Sequence, residues 1–540
     1  MVTIKSLGTM AAAAGLALSA PAYAANIVLN NIDRPGVGFN DPTPAAPTGG
    51  NPGATVGAQR LIAYGKALEL WGKTLKSNVT IVVRGSFERL SCDAATGVLG
   101  QAGANQIFSD FAGAPLAGHW YPVALANALA GIDLAPGPLD ATKNGENDDI
   151  VAYFNGAIGQ ADCLAGSGWY YGLDNNPPTG QLDFLDTFMH EVAHGLGFSN
   201  FANVATGSTL LGMPDVYMAN TRDLTFGRQW NTLSAAEIQV SSINTGNVVW
   251  TGPNVTISSQ LVLGPYQGVR VFGNLNREVM FGTASFGPAP SVSNFGGTVV
   301  LAGDGVAAPG GGTSTDGCEA ITAPLVGKVA LIDRGFCNFT VKVKNAQNAG
   351  AKAVMIANTF GRPGFDLGGT DGTITIPTIG ISNADGDAIK AQLPTVSAVY
   401  FLDTTRRAGA NDGYVRLYAP AVVALGSSIS HFDTAATPNL LMEPFINTDL
   451  RASRNLDLTP ALMQDIGWKI ETLKIGSCDT GVPTILPTGQ MLHAAVAACQ
   501  AGAKNAGQLT GCVSQAANDA KKNGYLNGWQ YGAIINCTGG

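Results

Sequence analysis

Apolar residues recur at helical spacing over 56–75, VGAQRLIAYGKALELWGKTL, where Leu61, Ile62, Leu68, Leu70, Trp71 and Leu75 predict a helix. The β-branched run at 78–84, NVTIVVR, predicts a strand, as does 149–156, DIVAYFNG. Over 181–196 the helical period returns: Leu182, Leu185, Met189, Val192 and Leu196 fall on one stripe, the mark of a helix facing a core. The stretch 26–56, rich in Gly, Pro and Asn, reads as extended chain with turns.

Near residue 262 the texture changes. VGKVALIDRG (326–335) reads as a buried strand, FTVKVKNAQNAGA (339–351) as a helix, AKAVMIANT (351–359) and TIPTIGIS (375–382) as strands, and 383–393 as helix again. A strand–helix–strand unit of this length implies parallel pairing and a small α/β domain of its own over 262–403. Residues 404–473 carry short strands, a turn around Met442 and an amphipathic helix, LTPALMQDIGW (458–468). The tail, 475–540, is Ala-, Asn- and Gly-rich with short helical stretches and four cysteines; a unit so small needs cross-links.

Composition narrows the class. Lys5, an apolar run from Leu7 to Ala20 and Ala22-Tyr23-Ala24 form the pattern of a secretory signal peptide over 1–24, with cleavage expected near Ala24 and a secreted or periplasmic product. No later run is long and apolar enough to suggest a membrane span. With 540 residues the chain is too long for one core. A net charge of −8 gives no footprint for nucleic acid. Eight cysteines in an exported chain read as disulfides. Cys92 with Cys163 and Cys318 with Cys337 suggest themselves, whereas Cys478, Cys499, Cys512 and Cys537 allow three connectivities. No CxxC spacing occurs, which argues against a cysteine zinc site.

The chemistry concentrates in HEVAH, residues 190–194, and the chain has only five histidines. On a helix, i and i+4 lie one above the other, so His190 and His194 point to one place and suit Zn²⁺. Glu191 beside them is the candidate general base, taking a proton from water that zinc activates and returning it to a leaving amine. Catalytic zinc takes a third protein ligand. Gly197 can end the helix, and HEVAHGLG resembles the start of the metzincin pattern HExxHxxGxxH/D, whose third ligand falls six residues after the second His; here that position is Asn200, a poor zinc donor. His119, His493 and Glu237 are rival third ligands without a supporting local motif. The acidic cluster Glu146-Asn147-Asp148-Asp149 could bind Ca²⁺, although a solvated loop is the simpler reading.

HExxHxxGF followed far downstream by SSISHFDTAATPNLLMEP (427–444) resembles the leishmanolysin family of metzincins. The resemblance implies that His431 completes the zinc site with His190 and His194, and that Met442 forms the Met-turn floor. His194 and His431 are 237 apart, but about 140 of those residues belong to the separate unit, leaving roughly 95 within one catalytic domain, a tolerated insertion because loop-closure entropy grows slowly. That unit, through GKVALIDRGFCNFTVKVKNAQNAGAKAVMIANT (327–359) and IPTIGIS (376–382), resembles the protease-associated (PA) domain. This likeness implies a non-catalytic substrate-gating module with Cys318–Cys337 as its disulfide. The expected fold is therefore α+β: a metzincin-like zincin domain in two parts, 25–261 and 404–473, an inserted PA domain, and a disulfide-bonded helical tail. The expected function is that of a secreted zinc peptidase on protein or peptide substrates. The alternative, a binding or adhesion protein with a vestigial metal site, has no need of the base at Glu191.

Overall fold

The computed structural model describes residues 3–4, 24–94, 96–136, 147–307, 309, 312–359 and 365–538. The signal-peptide reading thus lies almost wholly outside the described residues, as does Glu146. The chain is a mixed α/β protein of two compact units: residues 1–264 with 409–540, and residues 265–408.

In the first unit, the apolar stripe of 56–75 becomes the helix Val56–Thr74, started by Thr55, whose side chain accepts from Ala58 N–H. The β-branched segments become Ile81–Glu88 and Ile150–Asn155. With Ile27–Asn31 and Gly100–Ala104 they build a four-stranded sheet, in the order Ile27–Asn31, Ile81–Glu88, Ile150–Asn155, Gly100–Ala104. The first three strands run parallel, and Gly100–Ala104 closes the edge antiparallel.

A second helix, Phe184–Leu196, is buried at every position. Asp183 starts it by accepting from Leu185 and Asp186 N–H, so the first three residues of the expected 181–196 helix form instead a short strand, Gln181–Asp183, beside Gly168–Tyr170. It stops at Gly197, whose φ of +122° is open to glycine and where a Cβ would lie 2.7 Å from Ile466 Cδ1. Late parts of the chain secure this helix along its length. Ala452 N–H donates to Asp186 at 2.8 Å near its start, and Trp468 Nε1 donates to Leu196 O at 2.8 Å at its end. One hydrophobic core takes in both helices, the sheet and the helix Thr459–Ile466.

The strand Val248–Trp250, before the second unit, pairs antiparallel with Tyr414–Arg416, after it. The tail forms a hairpin, Thr472–Ile475 with Cys478–Pro483, and three helices, Leu492–Gly502, Ala506–Lys522 and Gly528–Thr538. Cys478–Cys537 and Cys499–Cys512 staple it, resolving the open connectivity, and the other disulfides are Cys92–Cys163 and Cys318–Cys337. The tail has a hydrophobic cluster of its own, yet it is part of the first compact unit. No helix among the described residues is long and apolar enough to cross a membrane.

The second unit holds an eight-stranded sheet whose centre is a parallel run: Gly296–Leu301, Val329–Asp333, Ala353–Ala357 and Thr378–Ile381. Leu331 and Met355 pack on one face, while Ala330, Ile332 and Ile356 pack on the other with Val343 and Ala346 of the helix Phe339–Asn348. Apolar packing on both faces explains the near-continuous apolar runs seen in the sequence. The unit's first strand, Pro265–Gly273, pairs antiparallel with its last, Val396–Arg407, with Pro265 opposite Arg407, so the chain enters and leaves it at neighbouring points.

Candidate metal centre

The helix Phe184–Leu196 carries His190 and His194 on one face, four residues apart. His431 comes from the turn after the second unit. The three Nε2 atoms lie 3.1 Å (His190 to His194), 3.2 Å (His194 to His431) and 3.2 Å (His431 to His190) from one another. Each ring's other nitrogen meets a main-chain carbonyl. His190 Nδ1 is 2.6 Å from Leu441 O, His194 Nδ1 is 2.7 Å from Phe198 O, and His431 Nδ1 is 2.8 Å from Ser427 O. A carbonyl only accepts, so each Nδ1 must hold the hydrogen and each Nε2 must be bare.

Protonating the rings offers no way out of this arrangement. All three are buried, and burial pushes their pKa values down, to about 3 for His190, about 4 for His194 and well below the usual imidazole value for His431; neighbouring imidazoles depress His190 and His431 further. Three neutral nitrogens with lone pairs converging repel one another unless a cation sits among them. Tetrahedral bonds of 2.0–2.1 Å place ligand nitrogens about 3.3–3.4 Å apart, close to the separations here, so the donor set fits Zn²⁺.

Glu191 is buried and faces the same cavity, of about 680 Å³. Burial pushes its carboxyl up to about 8, partly offset by Ala102 N–H, which donates to it. Gly100 makes that approach possible: a Cβ there would stand 2.8 Å from Glu191 Oε1. The edge strand therefore contributes to the wall of the cavity, which residues 97–102 line together with 425–428, 430–431 and 443–446. Val98, Leu425 and Phe445 present exposed apolar side chains around it.

Met442 is fully buried, and its carbonyl accepts from Phe432 N–H at 2.8 Å, one residue beyond His431. Its neighbour Leu441 supplies the carbonyl that orients His190 and is itself held by Asp457, which accepts from Leu441 N–H at 2.6 Å. The rival ligands are occupied elsewhere. His119 meets Ala117 O at 2.9 Å and Asn231 Nδ2 at 3.2 Å. His493 is buried in the tail, 3.5 Å from Thr74 Oγ1. Glu237 closes a capping box with Ser234 and pairs with Arg228.

At Asp148 and Asp149 neither the calcium reading nor a solvated loop fits. Asp148 is buried and bound to Arg84 at 2.6 Å and Asn30 at 2.9 Å, and buried Asp149 accepts from Val82 N–H and Asn127. Another acidic group, Asp304, Asp316 and Glu319 in the second unit, sits with a cation of the chain's own: buried Lys342 donates to Asp316 O at 2.6 Å. The sequence reading missed the edge strand Gly100–Ala104 and the partnership of Asn200 with Ser430. Gly-Gln-Ala-Gly-Ala carries no β-branched signal, and a contact spanning 230 positions leaves no local trace.

Residues 296–389 match the family model described as "PA domain". An "Aminopeptidase" of Pseudomonas aeruginosa (strain UCBPP-PA14) is 37% identical over 92 residues, 17% of this chain and 15% of that protein. "Receptor homology region, transmembrane domain- and RING domain-containing protein 1" of Oryza sativa subsp. japonica is 30% identical over 163 residues, 29% of this chain and 25% of that protein. Among solved structures, BSAP, a zinc aminopeptidase from Bacillus subtilis, matches 28% of this chain and 37% of its own at 24% identity and a TM-score of 0.18. The chain thus spans 15–25% of the length of these curated relatives, and it contains a PA-domain segment at 296–389.

Proposed function

We propose that this chain is a secreted zinc peptidase of the metzincin kind, resembling leishmanolysin, with His190, His194 and His431 as metal ligands and Glu191 as base. One observation carries the reading. Three histidines, each with Nδ1 directed at a carbonyl, turn three bare Nε2 atoms toward one point beside a buried carboxylate. Zinc held there would supply Lewis acidity, polarising a scissile carbonyl and making water easier to deprotonate.

The chain's own residues do the rest. The three main-chain carbonyls fix the tautomers, as partners behind metal ligands commonly do. Glu191 ionises when positive charge lies beside it, accepts the proton of the attacking water as the O–C bond forms, and delivers it to the amine nitrogen as the C–N bond breaks. Gly100–Ala104 pairs on one side only among the described residues, so a peptide can lie along its other edge as an added strand. Buried Met442 floors the site by holding the turn between Leu441 and Phe432. The second unit acts as a PA-type module that selects substrates without chemistry of its own; the relative named as an aminopeptidase shares too little of this chain to supply the activity by itself.

The test uses the purified chain. Metal analysis should find one zinc per chain, and casein digestion should stop with chelator and return with zinc. His431→Ala should lose its zinc on mild dialysis. Casein cleavage that persists without metal, or a full equivalent of zinc in the His431 variant, refutes this assignment.

A further inference from the structure

Asn200 stands where a short-range third ligand would fall, and it has a different task. Its main-chain N–H and its Nδ2 both donate to Ser430 Oγ, at 3.1 and 2.8 Å, while its Oδ1 accepts from Ala202 N–H at 3.1 Å. Ser430 immediately precedes His431. The residue before that, Ile429, is fully buried with φ of +70°. A β-branched residue in the left-handed region is an outlier, and such a conformation persists only where its surroundings hold it. The holding contacts are visible. Tyr217 OH donates to Ile429 O at 2.9 Å, and Ile429 N–H donates to Tyr418 O at 2.7 Å. Asn200 grips the next residue along. The same short segment, 198–200, also supplies the carbonyl of Phe198 that orients His194.

We propose that Asn200 is a positioning residue: through Ser430 Oγ it holds the strained turn 429–431 against the end of the helix that bears His190 and His194, so that His431 is presented ready to close the metal site. This rests on the reading of the three histidines as zinc ligands. Without the tether, Ile429 relaxes toward ordinary backbone angles and carries His431 off the point on which the other two converge. Ordering the turn then has to accompany metal binding, which weakens it.

The experiment is a competitive zinc titration of the full chain against a fluorescent chelator, on the parent, Asn200→Ala, Ser430→Ala and the double variant, with the metal-free Tm of each. Asn200→Ala should bind zinc about 10–100-fold more weakly than the parent, the usual cost of losing a group behind a ligand, with an unchanged metal-free Tm. Ser430→Ala should lose at least as much, because it also removes the acceptor for the Asn200 main chain. If Asn200 acts through Ser430, the double variant should bind no more weakly than Ser430→Ala alone. Asn200→Ala within about twofold of a zinc-loaded parent overturns the inference and leaves the zinc reading standing. Losses that multiply in the double variant overturn it too, since Asn200 would then act elsewhere. A parent that takes up no zinc overturns both. Should Asn200→Ala fail to fold, Ser430→Ala alone decides: undiminished affinity there sinks the proposal.

Discussion

Each histidine of the centre is oriented by a carbonyl from a different stretch of chain, Leu441, Phe198 and Ser427, and none of these contacts involves Glu191. Glu191→Gln should therefore leave zinc affinity and stability close to the parent, because the amide keeps an oxygen for Ala102 N–H. Hydrolysis should fall by about 10²–10⁴-fold, the usual worth of a positioned base. Zinc per chain and the casein rate in one preparation check this, and a variant with near-parental rate would remove Glu191 from the chemistry. At this scale legibility followed spacing. Four residues of helix bring His190 and His194 together whatever surrounds them, so HEVAH could be read from the chain alone. His431 became legible only through the motif around it and Met442. The Asn200–Ser430 tether, the carbonyls behind the rings and the left-handed Ile429 could not be read, because each depends on how distant segments pack.

The helix Phe184–Leu196 lies so close to the strand Ile150–Asn155 that Gly195 has no space for a side chain. A Cβ there would come within 2.3 Å of Ile150 Cγ2, 2.8 Å of its Cγ1 and 2.9 Å of its Cδ1. Two effects of Gly195→Ala oppose each other. Alanine favours the helix by up to about 1 kcal/mol. Overpacking a well-filled core costs about 1–3 kcal/mol, and a fully buried β-branched Ile150 has few rotamers to retreat into. The clash should win, lowering the stability measured in urea by about 1–2 kcal/mol and shifting His194, the residue before Gly195, enough to weaken zinc binding. A stabilised variant would show that the helix rides further from the sheet than it does here. Long apolar elements such as Val56–Thr74 and Val329–Asp333 were legible because their period matched their burial. Gly100–Ala104 was not, since its place is set by pairing with Ile150–Asn155 and by room for Glu191 rather than by side chains of its own.

Across the whole molecule, a parallel α/β unit buries both faces of its sheet and so writes a pattern of its own, which the sequence shows as the change of texture near 262; the compact unit runs from 265 to 408. The catalytic reading concerns the other unit, and there buried acids set the pH response. Burial pushes Asp149 and Asp457 up to about 7 and Glu191 and Glu443 up to about 8, and it raises Asp183 and Asp186, which both accept from Asn175 at the helix start. These groups hold protons in the folded state that the unfolded chain, near its ordinary carboxylate value, has released. Where the folded state binds more protons, stability falls as pH rises. Histidines pull the other way, since His190, His194, His431 and His493 are all depressed by burial, but that opposition ends once the unfolded chain's imidazoles are almost wholly neutral, above about pH 7.5. Between about pH 7.5 and about 8.5 only the acids remain, so the metal-free chain should lose on the order of 1–3 kcal/mol of stability. Urea unfolding of the chelated protein at both pH values measures it. Equal stability, or a rise toward pH 8.5, would mean that these carboxyls are already ionised in the folded chain and that their surroundings are wetter than the buried positions described here.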